Sequence, residues 1–177
     1  KHNVRNALAA FAGAVSAGAS VEDIKLGLER YKPSQYRQQI IQTKACKVVA
    51  DLQNFSPDAV KAAIQTLYKI EAYEGGRKIA VLADMPSLGK MSKSLHKSVG
   101  ESLEKTGVDM LFCIDDRADG YISGAVKKGF DESNAKMFAT SEELGKCLKE
   151  TVRPNDIVLL KCRKEYEPLE MLKMLDK

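Results

Sequence analysis

Three polar stretches carry residue types able to hold a charged ligand: Asp51-Leu-Gln-Asn54, Asp84-Met-Pro-Ser-Leu-Gly89 and Lys161-Cys-Arg163-Lys164. Each stands where an apolar, strand-like run ends. Parallel sheets bind ligands at the carboxyl ends of their strands, where an Asp can accept from a pair of ribose hydroxyls. Lys or Arg in the same place can hold phosphate or carboxylate. The same aspartates can equally cap turns, and the pattern leaves both readings open.

Other chemistry is not written here. There is no GxxxxGK[ST] loop and no GxGxxG, and Gly75-Gly76-Arg77-Lys78 and Leu88-Gly89-Lys90 only set glycine beside a cation. His2 and His96 lie at no metal-ligand spacing from a cysteine or carboxylate, so no metal site is expected. His96 adjoins the apolar Leu95/Val99/Leu103 stripe, which favours a helix-surface or packing role over catalysis. No nucleophile–base pair can be read.

The elements that must position these residues follow from periodicity and punctuation. Residues 3–16 read as an alanine-rich helix. Ser20 opens a second, with Asp23 completing a capping box, and Pro33 ends it. Residues 38–42 and 47–51 read as short strands. Ser56-Pro57-Asp58 starts a helix whose apolar face is Val60, Ala63, Ile64 and Leu67. Strand and helix then alternate: a strand at 78–84, a helix from about 91 to 107, a strand at 110–114, a helix at 117–128. A short strand near Met137, a helix capped by Thr140 and Glu143, a strand at 156–161 and a helix after Pro168 follow. Such alternation predicts an α/β fold, a mostly parallel sheet with helices on both faces. The composition breaks near residues 32–36, which places a domain boundary between 1–34 and 35–177.

The 28 basic and 24 acidic residues give a formal charge of +4 and are interspersed. A nucleic-acid footprint would cluster Lys and Arg on one face, so no nucleic acid is expected. No apolar stretch approaches the ~20 residues of a membrane span, and no signal peptide opens the chain. Four separated cysteines without a CxxC pair fit a reducing compartment, so a cytoplasmic location with no membrane partner is expected.

Four segments carry a resemblance. His2-Asn3-Val-Arg-Asn6-Ala-Leu-Ala-Ala resembles the HNxxNAxAA segment of the Mur ligases. Tyr31-Lys-Pro-Ser-Gln-Tyr-Arg37 resembles their stretch ending in Gly-Arg, Asp51-Leu-Gln-Asn54-Phe-Ser-Pro57 is similar to DxYNANP, and Val81-Leu-Ala-Asp84-Met85 with Leu88-Gly89 and Leu95-His96 resembles LGDMxELG…LH. The matches run in order over nearly the whole chain. The resemblance implies that 1–34 is the helical end of a central ATPase domain and 35–177 a Rossmann-like three-layer C-terminal domain that closes over ATP.

It further implies Asn3 and Asn6 against the adenine, Arg37 by the nucleotide at the domain junction, and Asp51 on the ribose hydroxyls. Asn54, Asp84, Lys161 and Lys164 would face the amine substrate. The family uses ATP and magnesium to phosphorylate a peptide carboxylate, and an incoming amine then attacks the acyl phosphate, forming an amide bond of a peptidoglycan precursor. The fourth segment points to the branch whose substrates are a UDP-muramoyl-peptide and D-Ala-D-Ala. The implied partners are upstream ATPase and UDP-sugar-binding domains. These carry the phosphate loop and the magnesium carboxylate, so the chain alone is expected to hold no cofactor and to be inactive.

The departures are specific. Tyr36 stands for glycine, Leu52-Gln53 and Phe55-Ser56 alter the DxYNANP segment, Ala83 stands for glycine, and Lys161-Cys-Arg163-Lys164 stands for Lys-Gly-Ser-Arg. They support an alternative reading: a diverged, non-catalytic module that binds nucleotide or a partner.

Overall fold

The computed structural model describes residues 2–32, 34–72 and 74–176, without the side chains of His2 and Asn3. Pro33 and its expected helix-ending role lie outside the described residues. The chain divides into two compact units, 1–34 and 35–177. The first holds helices α1 (His2–Ser16) and α2 (Val21–Glu29). Ser20 caps α2 by accepting from the Asp23 amide while its hydroxyl donates to the Asp23 carboxylate.

The second unit is built on β1 (Gln39–Gln42), β2 (Lys47–Ala50), β3 (Lys78–Ala83), β4 (Met110–Ile114), β5 (Ala135–Phe138) and β6 (Ile157–Lys161). The order is β1-β2-β6-β3-β4-β5, parallel throughout except for the antiparallel β1–β2 pair. Helices α3 (Pro57–Lys69), α4 (Ser92–Glu101), α5 (Asp119–Lys127), α6 (Ser141–Thr151) and α7 (Pro168–Leu175) cover it. Strand side chains alternate between faces. Ala80, Leu82, Leu111, Cys113 and Leu159 join Val60, Ile64, Val99 and Tyr121 of α3, α4 and α5 in one core layer. Ile79, Val81, Phe112, Ile114 and Val158 join Leu144, Leu148, Met171 and Leu175 of α6 and α7 in the other. This is the three-layer Rossmann-like architecture that continuous apolar runs such as KIAVLA and IVLLK call for.

Two helices are shorter than the sequence suggests. α4 stops at Glu101, not Gly107: the Ser102 and Thr106 hydroxyls bond back to the Val99 and Leu103 carbonyls, each at 2.6 Å, and the chain leaves through Gly107 at φ +65°. Hydroxyls that bond their own backbone compete with helix propagation. α5 begins at Asp119, after a 3-10 turn at Asp116–Ala118, not at Arg117. α4 and α5 also pack backbone to backbone. A Cβ on Gly124 would lie 2.1 Å from the Lys97 carbonyl oxygen, and one on Gly100 2.1 Å from that of Tyr121. No side chain fits there.

The amino edge of the sheet is closed by one ionic knot. The buried Asp156 carboxylate accepts from the Arg77 amide at 2.9 Å, the Arg77 guanidinium at 2.7 Å and the Arg153 amide at 2.9 Å. Burial raises the Asp156 pKa, and these donors outweigh it, so the net shift is downward.

Candidate functional site

At the carboxyl edge, the turns after β2, β3, β4 and β6 converge. Register does the positioning: Ala50 pairs with Leu160 and Leu82 with Lys161, so the residues just beyond these strands are neighbours in space.

Asp51 and Lys161 form one buried ion pair, Nζ to Oδ1 at 3.1 Å, with side chains 5% and 1% exposed. The ammonium also donates to the Gln53 carbonyl at 2.6 Å and lies 4.4 Å from the centre of the Phe55 ring. Burial pulls the Lys161 pKa down, Asp51 pushes it up, and the charge of the exposed Arg37 adds to the downward pull. The next residue, Leu52, donates its amide to the Tyr36 carbonyl at 2.8 Å, which ties the Asp51 turn to the segment bearing Arg37.

Asp84 is fully buried and lies in a second, larger cluster. Its Oδ1 accepts from Arg163 at 2.7 Å, and Arg117 Nη2 stands 3.1 Å from Oδ2. That contact is off the hydrogen-bond direction, so Asp84 Oδ2 has no hydrogen-bond donor, and Arg163 Nε has no acceptor. The Tyr166 hydroxyl lies 3.0 Å from Asp84 Oδ1 and 2.8 Å from Asp115 Oδ2. Its single proton satisfies one of them at a time. Burial first, then the hydrogen bond to Asp115, pushes the Tyr166 phenol up to about 12. Hydrogen bonds from Arg117 hold the Asp115 carboxyl well below the usual carboxylate range.

The remaining candidates are placed as follows. Asn54 is exposed at φ +52° and its side chain accepts from the Ser56 amide at 3.2 Å, so it shapes the turn that starts α3. Lys164 is exposed and opens a 3-10 turn. Asn6 is exposed on α1, and the Asn3 side chain lies outside the described residues. The structure thus joins Asp51 to Lys161 and Asp84 to Arg163, while the Asn54 side chain turns to the Ser56 amide and Lys164 stays exposed. His96 takes the packing alternative: its Nε2 accepts from the Met85 amide at 2.9 Å and its Nδ1 faces the Ser92 carbonyl at 2.8 Å. It thereby holds the turn that carries Asp84. Nδ1 carries the ring proton, since Nε2 is an acceptor.

Asp115, Arg117 and Tyr166 were not among the sequence candidates. Asp115 obeys the rule that singled out Asp51 and Asp84, an acid where an apolar strand ends, and could have been found that way. Tyr166 could not, because 82 residues separate it from Asp84. A concavity lined by Asp119, Ile122, Ser123, Val126, Lys127, Glu132 and Met137 contains none of these site residues. Among the described residues, no group of three or more His, Cys, Asp or Glu is placed to hold a metal ion. Asp84 and Asp115 are also committed to guanidinium groups, so these residues do not fit a magnesium site.

A mostly parallel sheet covered by helices on both faces, with buried acid–base pairs along its carboxyl edge, defines a Rossmann-like domain. The family model for the Mur ligase, glutamate ligase domain, matches residues 36–163, and the chain belongs to the Mur ligase family. It is 31% identical over 176 residues to the UDP-N-acetylmuramoyl-tripeptide--D-alanyl-D-alanine ligase of Bacillus subtilis, covering 99% of this chain and 38% of that protein. The enzyme of the same name from Haemophilus influenzae is 35% identical over 127 residues, covering 71% of this chain and 27% of that protein. The crystal structure of MurF from Acinetobacter baumannii superposes with a TM-score of 0.81 at 27% identity, over 100% of this chain and 38% of that one. MurF from Thermotoga maritima, solved with ADP, shares the fold at a TM-score of 0.70 and 24% identity, over 93% of this chain and 35% of that one. The chain therefore spans well under half the length of these relatives. No described helix is long and apolar enough to cross a membrane.

Proposed function

We propose that this chain works as the C-terminal part of an ATP-dependent ligase that joins D-Ala-D-Ala to a UDP-muramoyl-tripeptide. In this reading residues 1–34 belong to the central ATPase domain, and 35–177 close over the nucleotide that it holds. Asp51 accepts from the ribose hydroxyls, Arg37 meets phosphate charge, Asn3 and Asn6 lie against the adenine, and Asn54, Asp84 and Lys164 form the side facing the incoming amine, while Lys161, buried against Asp51, stands behind the ribose side instead. ATP is a substrate of the reaction, magnesium is held by the upstream domain, and the setting is cytoplasmic.

The observation that carries the reading is the Asp51–Lys161 pair, at the sheet edge where a nucleotide would lie. A carboxylate with one oxygen fixed by an ammonium is preorganised to accept from hydroxyls through the other. The fold supplies positioning and charge, which is most of what acyl-phosphate chemistry asks of a closing domain. The relatives named above support the choice of substrates.

The test is an amide-formation assay with ATP, UDP-muramoyl-tripeptide and a panel of D-dipeptides. The ligase bearing this domain should form product with D-Ala-D-Ala, and residues 1–177 alone should form none. Nucleotide binding by the longer protein without ligation of any dipeptide would favour the non-catalytic module instead.

A further inference from the structure

The Lys161 ammonium has three N–H bonds and three partners: Asp51 Oδ1 at 3.1 Å, the Gln53 carbonyl at 2.6 Å and the Phe55 ring at 4.4 Å. Its side chain is 1% exposed. It cannot reach a substrate without abandoning those partners. All three belong to the turn after β2, so one side chain from β6 pins the whole 51–55 segment. Within that segment Asn54 turns the chain through the left-handed region at φ +52°, a conformation asparagine tolerates. Phe55, one of the residues that departs from the DxYNANP pattern, supplies the ring. A charge buried this deeply is retained only with its partners in place.

We propose that Lys161 is a positioning residue for nucleotide selection, holding the Asp51 carboxylate and its turn so that the ribose is read through Asp51. This rests on the assignment of Asp51 to the ribose hydroxyls. Lys161 touches no part of the nucleotide. Its loss therefore changes how well the ribose is recognised, not how the phosphates are held.

The experiment measures the affinities of the full-length ligase for ATP and for 2′-deoxyATP, in the wild type, Asp51→Asn, Lys161→Met and the double variant. The wild type should prefer ATP. Lys161→Met should weaken ATP binding roughly tenfold, the scale of one hydrogen bond to a charged group, and 2′-deoxyATP binding much less. The preference should then collapse to that of Asp51→Asn, and the double variant, which removes both buried charges and guards against misfolding, should bind as either single does. Equal weakening of both nucleotides by Lys161→Met would overturn the proposal, because a purely structural role predicts that result. Collapse of the preference in Asp51→Asn but not in Lys161→Met would overturn it while sparing the ribose assignment. A preference left intact by Asp51→Asn would remove that assignment and the proposal together.

Discussion

The two edges of the sheet are built differently. At the amino edge, Asp156 takes donors from Arg77 and Arg153 in a closed knot. At the carboxyl edge, Asp84 Oδ2 and Arg163 Nε are buried without hydrogen-bond partners, and the Tyr166 proton is contested by two carboxylates. Backbone strain divides the same way. Tyr36, Gln38, Asn54, Ser87, Asp115 and Glu167 hold positive φ around the carboxyl ends of the strands, against Lys105 and Asn155 on the other side. Buried polar groups are normally satisfied, and strained residues persist only where the surroundings over-determine them. One edge is organised for stability. The other keeps unmade hydrogen bonds and strain at the carboxyl ends of the strands, where parallel sheets commonly bind ligands.

The largest expected effect lies at the amino edge. Asp156→Ala leaves Arg77 without its carboxylate and should destabilise residues 35–177 by about 3–5 kcal/mol, the cost of breaking a buried pair. Denaturant titration checks it; a loss below about 1 kcal/mol would dissolve the contrast between the edges. At the carboxyl edge, Asp84→Asn should lower ligation more than it lowers stability, by about 1–3 kcal/mol of unfolding free energy. Parallel activity and melting measurements decide it, and an equal fall in both would make Asp84 merely structural.

The pH dependence sharpens the same comparison. The folded pKa of Asp156 lies below its unfolded value near 4. Its stabilisation is therefore fully present above about pH 4 and lost as the pH falls through the folded value. Unfolding midpoints between pH 7 and pH 2 should show an acid limb that Asp156→Asn flattens; an unchanged limb would place the linkage elsewhere. Asp115 shifts in the same direction, but its partner Arg117 is 58% exposed, so solvent screening makes its share smaller. The smallest effect is expected for Tyr36→Gly. Relief of a left-handed tyrosine at φ +57°, worth about 1–2 kcal/mol, opposes loss of its half-buried ring from the α6–α7 layer, so stability should stay within about 1 kcal/mol of wild type.

Those residues also show what the sequence could reveal. Ser20, Ser56 and Thr140 were legible as helix caps because capping is local: each hydroxyl accepts from an amide three residues on. The buried strands were legible because a sheet covered on both faces demands unbroken apolar runs. Asp51, Asp84 and Lys161 were legible as polar residues at strand ends. Their pairing was not, since it depends on which strands become neighbours, and β6 inserts between β2 and β3. The stop of α4 before Gly107 was hidden in two hydroxyls that bond back to carbonyls. The α4–α5 contact was written in Gly100, Gly120 and Gly124, yet glycines inside helices also read simply as weak helix formers. Tyr36 is the instructive departure. Its backbone takes a left-handed conformation, at φ +57°, that glycine adopts more readily than tyrosine.

The most direct test of the account is the Michaelis constant for ATP in the ligase bearing this domain, before and after Asp51→Ala. A rise of roughly tenfold is expected, from loss of hydrogen bonds to a charged acceptor, with less change in turnover at saturating ATP. ATP kinetics left untouched by the substitution would contradict it.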